Sequence, residues 1–122
     1  MIIMKYTEEH EWLRLEGNFV VVGITDHAST ELGDIVFVEL PSVGTTVAKD
    51  GEVVVIESVK AASDILAPID GKIVEVNEAL VDEPSMINDD PTGNGWMFKM
   101  EANDLSQLDD FMSEAEYMKF IA

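Results

Sequence analysis

The sequence predicts a mainly β fold of two small sheets, with a short helix in its N-terminal half and helices at its C-terminal end. Three observations predict it. The apolar runs are short and separated by turn residues, the pattern of strands rather than of long helices. Two β-prone runs, Gly51–Ile56 and Ile65–Ile69, flank the small and polar segment Glu57–Asp64, so they read as a hairpin with Lys60 at its tip. Finally, Gly33-Asp34-Ile35-Val36-Phe37-Val38 is echoed by Gly71-Lys72-Ile73-Val74-Glu75-Val76, one copy on each side of that hairpin. A unit repeated around a central turn suggests a two-fold-like pairing of sheets with Lys60 at one end. Any two strands share Ile and Val, so the echo counts only beside the other two observations.

The elements follow in order. Glu11–Leu15 alternates and stops at Glu16-Gly17-Asn18, after which Phe19–Ile24 completes a first hairpin. Thr25 can cap a short helix that Gly33 ends. Ile35–Leu40 is a strand closed by Pro41, and Gly44–Asp50 is a turn-rich connector containing Val47. After the Lys60 hairpin, Asp70-Gly71 turns the chain into a strand at Lys72–Val76. Residues 82–95 hold Pro84, Pro91, Gly93 and Gly95 and read as a loop. Trp96–Met100 closes a β core of about residues 5–101. A helical segment of about residues 103–121 follows. Asn103 and Asp104 can cap it, with Gln107 three residues after Asp104, and Leu105, Leu108 and Met112 recur at helical spacing. Ser113-Glu114-Ala115-Glu116 is a second capping box, which divides the segment in two. Its apolar stripe is expected to pack on the β core rather than to hold a partner. Trp12, Phe37 and Trp96 are expected in the core.

At 122 residues and 47% hydrophobic, the chain suits a single folded domain. No apolar run approaches the roughly 20 residues of a membrane span. The start, Met1–Lys5, lacks an apolar signal region and an Arg/Ser-rich transit pattern, so the cytoplasm is the expected compartment. The absence of cysteine excludes disulfides, thiolate metal sites and a cysteine nucleophile. Seven Lys and Arg against 25 Asp and Glu leave a net charge of −18. Nucleic acid and anionic membranes would be repelled. The acidity either maintains solubility or steers the chain toward basic docking patches, and composition leaves both open.

Lys60 is the prime candidate residue. An amine at a rigid, protruding turn between small neighbours, Ala61 and Ala62, is what an enzyme needs to attach a long cofactor arm. The other lysines, at positions 5, 49, 72, 99 and 119, lack this setting. From position alone an ordinary solvated lysine remains open. His27 has no evident serine or cysteine partner and reads as a packing or capping residue, and His10, beside Glu11 and Trp12, reads as structural. Asn88-Asp89-Asp90-Pro91 lacks the spacing of a calcium loop and reads as a turn, so no metal site is expected.

Glu57-Ser58-Val59-Lys60-Ala61-Ala62-Ser63-Asp64 resembles the attachment segment of the H protein of the glycine cleavage system, a lipoyl carrier. Further stretches resemble the same family in order: Tyr6-Thr7 with His10-Glu11-Trp12, Gly23–Ala28, Leu32-Gly33-Asp34 with Phe37–Pro41, Pro68–Gly71, Val74–Asn77 and Gly95-Trp96. The resemblance covers nearly the whole chain. It implies a lipoyl/biotinyl-type flattened barrel, a barrel-sandwich hybrid. It also implies lipoate joined as an amide to the ε-nitrogen of Lys60 by lipoate-attaching enzymes. The arm would take an aminomethyl group from the pyridoxal-phosphate-dependent glycine decarboxylase (P protein). It would deliver that group to the tetrahydrofolate-dependent aminomethyltransferase (T protein). Dihydrolipoamide dehydrogenase (L protein) would then reoxidise it. The chain itself would be a non-catalytic carrier, with the chemistry belonging to the arm. The resemblance further implies a cleft that shelters the loaded arm from water. Its positions here are Glu11, Ile24, Ala61 and Asp64, with Glu9 less firmly carried over. The arm's ammonium would pair with Glu11 or Asp64.

Rival readings stay open at this point. A biotin carrier shares the hairpin lysine but usually flanks it with methionine, whereas Val59 and Ala61 stand here. A lipoyl domain of a 2-oxo-acid dehydrogenase usually shows Asp-Lys-Ala within a longer chain. An acidic β scaffold with an unmodified lysine is a third. A fourth lies within the family, a relay of lipoate to other acceptors.

Overall fold

The computed structural model describes residues 3–122. Nine strands form two antiparallel sheets. In chain order they are β1 (Ile3–Tyr6), β2 (Glu11–Glu16), β3 (Phe19–Ile24), β4 (Ile35–Glu39), β5 (Thr46–Val47), β6 (Glu52–Ser58), β7 (Ala62–Leu66), β8 (Gly71–Val76) and β9 (Phe98–Ala102). One sheet runs β1-β2-β3-β9-β8-β5 and the other β4-β6-β7. The two echoed segments fall in different sheets, β4 in the small one and β8 in the large one. This is the flattened barrel-sandwich arrangement expected from the sequence, without closure into a full barrel.

Strand alternation divides the core. Val20 and Val22 face the space between the sheets, with Leu13, Ile56, Ile73, Phe98 and Met100. Val21 and Trp12 point to the opposite face, where they pack with Tyr6 and Tyr117. That second face is covered by α4 (Glu114–Ile121), whose Tyr117 ring stacks on Tyr6 with centroids 4.8 Å apart. The expected packing of the C-terminal segment on the β core is therefore seen. Ser113 forms the expected capping box with Glu116.

The first helix, α1 (Asp26–Leu32), is capped as expected: Thr25 Oγ1 accepts the Ala28 N–H, and Gly33 ends the helix at φ +79°. Other expectations need correction. β1 and the two-residue β5 were not anticipated. A one-turn helix α2 (Ala79–Asp82) runs into the start of the loop read at 82–95, and a second, α3 (Met86–Asp89), lies wholly within it. Leu80 and Ile87 pin these turns to the core with no exposed surface. Residues Leu105–Asp110 form a 3₁₀ rather than an α-helical segment. Trp12 is fully buried, but Trp96 is only partly so and Phe37 is 42% exposed. The reason for Phe37 is a register shift between Ile35 and Phe37 against β6. It puts Ile35 and Val38 inward and turns Phe37 to solvent.

Candidate functional site

The β6–β7 hairpin turns at Ser58-Val59-Lys60-Ala61. The Ser58 N–H donates to the Ala61 carbonyl at 2.8 Å. Ser58 Oγ accepts the N–H groups of Lys60 and Ala61, both at 3.1 Å, so one hydroxyl satisfies two backbone donors of the turn. The Val59 N–H donates to the Asp34 carbonyl at 3.0 Å and fastens the tip to the loop after α1. Lys60 is exposed, and among the described residues its ammonium has no ion-pair partner. Its stem lies across Gly33: a Cβ built there would stand 3.2 Å from Lys60 Cε. The absent side chain of Gly33 thus leaves room for the lysine.

The loop beneath the tip is itself braced. Asn88 of α3 accepts the Ile35 N–H through Oδ1 at 2.8 Å. Its Nδ2 donates to the Gly33 carbonyl at 2.8 Å and to Ser29 Oγ at 3.1 Å. A residue distant in sequence therefore fixes the platform on which Lys60 rests.

Beside this platform opens a cleft of about 440 Å³. Leu32, adjacent to Gly33, forms part of its wall with Ala28 and Glu31 of α1. Glu11 and Ile24, directly paired across β2 and β3, form the inner end. Ser63, Asp64 and Ile65 of β7 form the other wall, and Glu9 and His10 lie at the mouth. The structure brings Glu9, Glu11, Ile24 and Asp64 together in one cleft. Ala61 is not among the lining residues and stays at the turn. Sequence reasoning missed His10, Ala28, Glu31, Leu32, Ser63 and Ile65 as lining residues. They come from separate segments, and no local pattern connects them.

Glu11, expected in the cleft, is 3% exposed. Burial pushes its carboxyl up to about 8, and the charge of Glu9 adds to the rise. The Leu66 N–H, donating to Glu11 Oε2 at 3.2 Å, opposes it and ties β2 to β7 across the two sheets. A buried acid at the inner end of a cleft that also carries Glu9, Glu31 and Asp64 can exchange its proton for a cation brought in by a ligand.

A lipoyl arm fits these residues on two counts: the Lys60 amine is free, and the cleft starts beside its stem. The family model for the glycine cleavage H-protein matches residues 4–122. The chain belongs to the glycine cleavage H-protein family. A glycine cleavage system H protein of Thermotoga maritima is 53% identical over 122 residues, covering 100% of this chain and 98% of the relative. One of Carboxydothermus hydrogenoformans is 48% identical over 118 residues, covering 97% of this chain and 91% of the relative. A crystal structure of a glycine cleavage system H protein from Mycobacterium marinum superposes with a TM-score of 0.88 at 40% identity. It covers 97% of this chain and 95% of that one.

Proposed function

We propose that the chain is the lipoylated carrier of the glycine cleavage system, with lipoate attached to Lys60. The observation that carries this reading is the free Lys60 amine on a braced turn beside a cleft, in a chain of this family. When bound, lipoate supplies a dithiolane that takes the aminomethyl group from the P protein, yields it to the T protein and is reoxidised by the L protein. The chain's own part is placement and shelter. Lys60 offers its nitrogen for the amide and loses its charge in the process. Gly33 and Asp34 hold the start of the tether. Ile24, Leu32 and Ile65 exclude water, while Glu11 and Asp64 receive positive charge. On this reading the chain catalyses no step itself, works as one carrier unit over residues 1–122, and operates in the cytoplasm.

Intact-mass measurement on protein from a lipoate-competent host is the first test, with a lipoyl increment expected on Lys60. Lys60→Arg is expected to keep the fold and abolish glycine–bicarbonate exchange with purified P protein. Retained exchange in that variant would refute the assignment. Glu11→Ala and Asp64→Ala should leave lipoylation intact and hasten loss of the one-carbon cargo to water. An unchanged rate of loss would remove the cleft from the account while leaving Lys60 in it.

A further inference from the structure

We propose that His10, His27 and Glu31 form a binding site for a divalent first-row transition metal of the zinc class, at the mouth of the cleft. One donor atom from each of the three lies within 4.8 Å of the others. His27 and Glu31 are one helical turn apart on α1, so both project from the same face, with Nε2 and Oε1 at 3.1 Å. His10 approaches from the turn before β2, its ring centroid 4.6 Å from that of His27. Zinc at roughly 2.1 Å from each donor brings donors to roughly 3.4 Å from one another, so modest side-chain rotations close the site. Two imidazoles and a carboxylate are the three-ligand set of an open zinc site, which keeps a fourth position for water or another ligand. His10 and Glu31 also line the cleft, and His27 lines the adjoining pocket beside Thr25 and Tyr117.

Two further features set the cluster apart from a helix-surface pair. The first is an orienting chain behind His10. Its Nδ1 lies 2.9 Å from Tyr117 Oη, which lies 2.7 Å from Thr25 Oγ1. With Nδ1–H donating to Tyr117, Nε2 of His10 is left for the metal, the arrangement found behind metal-bound imidazoles. The second is the backbone. His10 sits at φ +68°, a left-handed conformation that a side-chain-bearing residue rarely takes. Its N–H donates to the Thr7 carbonyl at 3.1 Å and its carbonyl accepts the Thr25 N–H at 3.0 Å, which hold that conformation. The turn thereby delivers the ring to α1.

The test uses the full-length unmodified chain, stripped with a chelator and titrated with Zn²⁺ in about 150 mM NaCl with excess Mg²⁺, conditions that suppress loose binding to acidic surface. The chain has two histidines, so each imidazole is followed separately by NMR. One equivalent of Zn²⁺ is expected to shift both together. His27→Ala and Glu31→Gln alter side chains that are 31% and 63% exposed, so the fold is retained. Each is expected to weaken Zn²⁺ at least about tenfold, the loss that removing even an outer partner of a metal ligand causes. Histidine signals unmoved at one equivalent, or Zn²⁺ affinity in both variants equal to that of the unsubstituted chain, would overturn the site. Neither outcome touches the lipoyl reading, because no arm is present in the sample.

Discussion

Glu11 places a carboxyl where water scarcely reaches, and that position has a pH signature. Its folded value, pushed up to about 8 by burial, stands above the ordinary carboxylate value of the unfolded chain. Between those two values the unfolded chain ionises first, so it is stabilised relative to the fold as pH rises. Stability is full at acid pH, falls as pH rises toward 8, and levels off above it, by an amount on the order of a few kcal/mol. Asp70, Asp104 and Glu116 act in the opposite sense, held below their ordinary values first by backbone or side-chain hydrogen bonds from Lys49, Ser106 and Ser113. Their window lies at lower pH, so the two effects separate. Glu11→Gln, which can still accept the Leu66 N–H, is expected to flatten the decline in melting temperature between about pH 5 and pH 8. An equally steep decline in that variant would assign the effect elsewhere. The exposed tip position of Lys60 was legible in the sequence, because a hairpin tip is a local property. The burial of Glu11 was not, because it arises where β2 meets β7 and α1, from segments far apart in the chain.

At the scale of elements, α3 is the unexpected participant. It is a single turn whose Ile87 enters the core and whose Asn88 makes three hydrogen bonds, to Ser29 of α1, to Gly33 in the α1–β4 connection and to Ile35 at the start of β4. Asn88→Ala strands the Ile35 N–H and the Gly33 carbonyl, at a cost of roughly 2–3 kcal/mol. The hairpin tip hangs on the same connection through the Val59 N–H. Amide exchange at Val59 and Ile35 in that variant is therefore expected to speed up relative to the β3–β9 ladder. Uniform acceleration would mean that Asn88 merely supports global stability. Sequence patterning found α1, α4 and six of the nine described strands because each carries its own period, cap or turn, but it set β7 three residues late, at Ile65–Ile69 instead of Ala62–Leu66. It missed β1 and β5, which are too short for a period to register. It also missed α2 and α3, whose four residues each are held by tertiary anchors rather than by helical propensity. Phe37 was misplaced because a bulge shifts the alternation, and a bulge leaves no mark in an apolar run.

For the whole molecule, a net charge of −18 on 122 residues dominates long-range behaviour. Like charges repel within the compact state, so added salt is expected to raise the melting temperature. If the same field steers the chain to basic surfaces on its partner enzymes, the apparent KM for the carrier rises with ionic strength while kcat stays constant. A KM independent of salt would leave the acidity as a solubility device. Among the described residues no helix is long and apolar enough to cross a membrane.

The turn at Ser58–Ala61 has a consequence for the order of events in the life of the molecule. Its backbone groups are satisfied by Ser58 and Asp34, and the side-chain amine of the lysine it presents takes no part in holding it together. If Lys60 is lipoylated as proposed, maturation and acquisition of shape are therefore separable, and an undecorated pool with this turn already formed can stand ready until a ligase arrives.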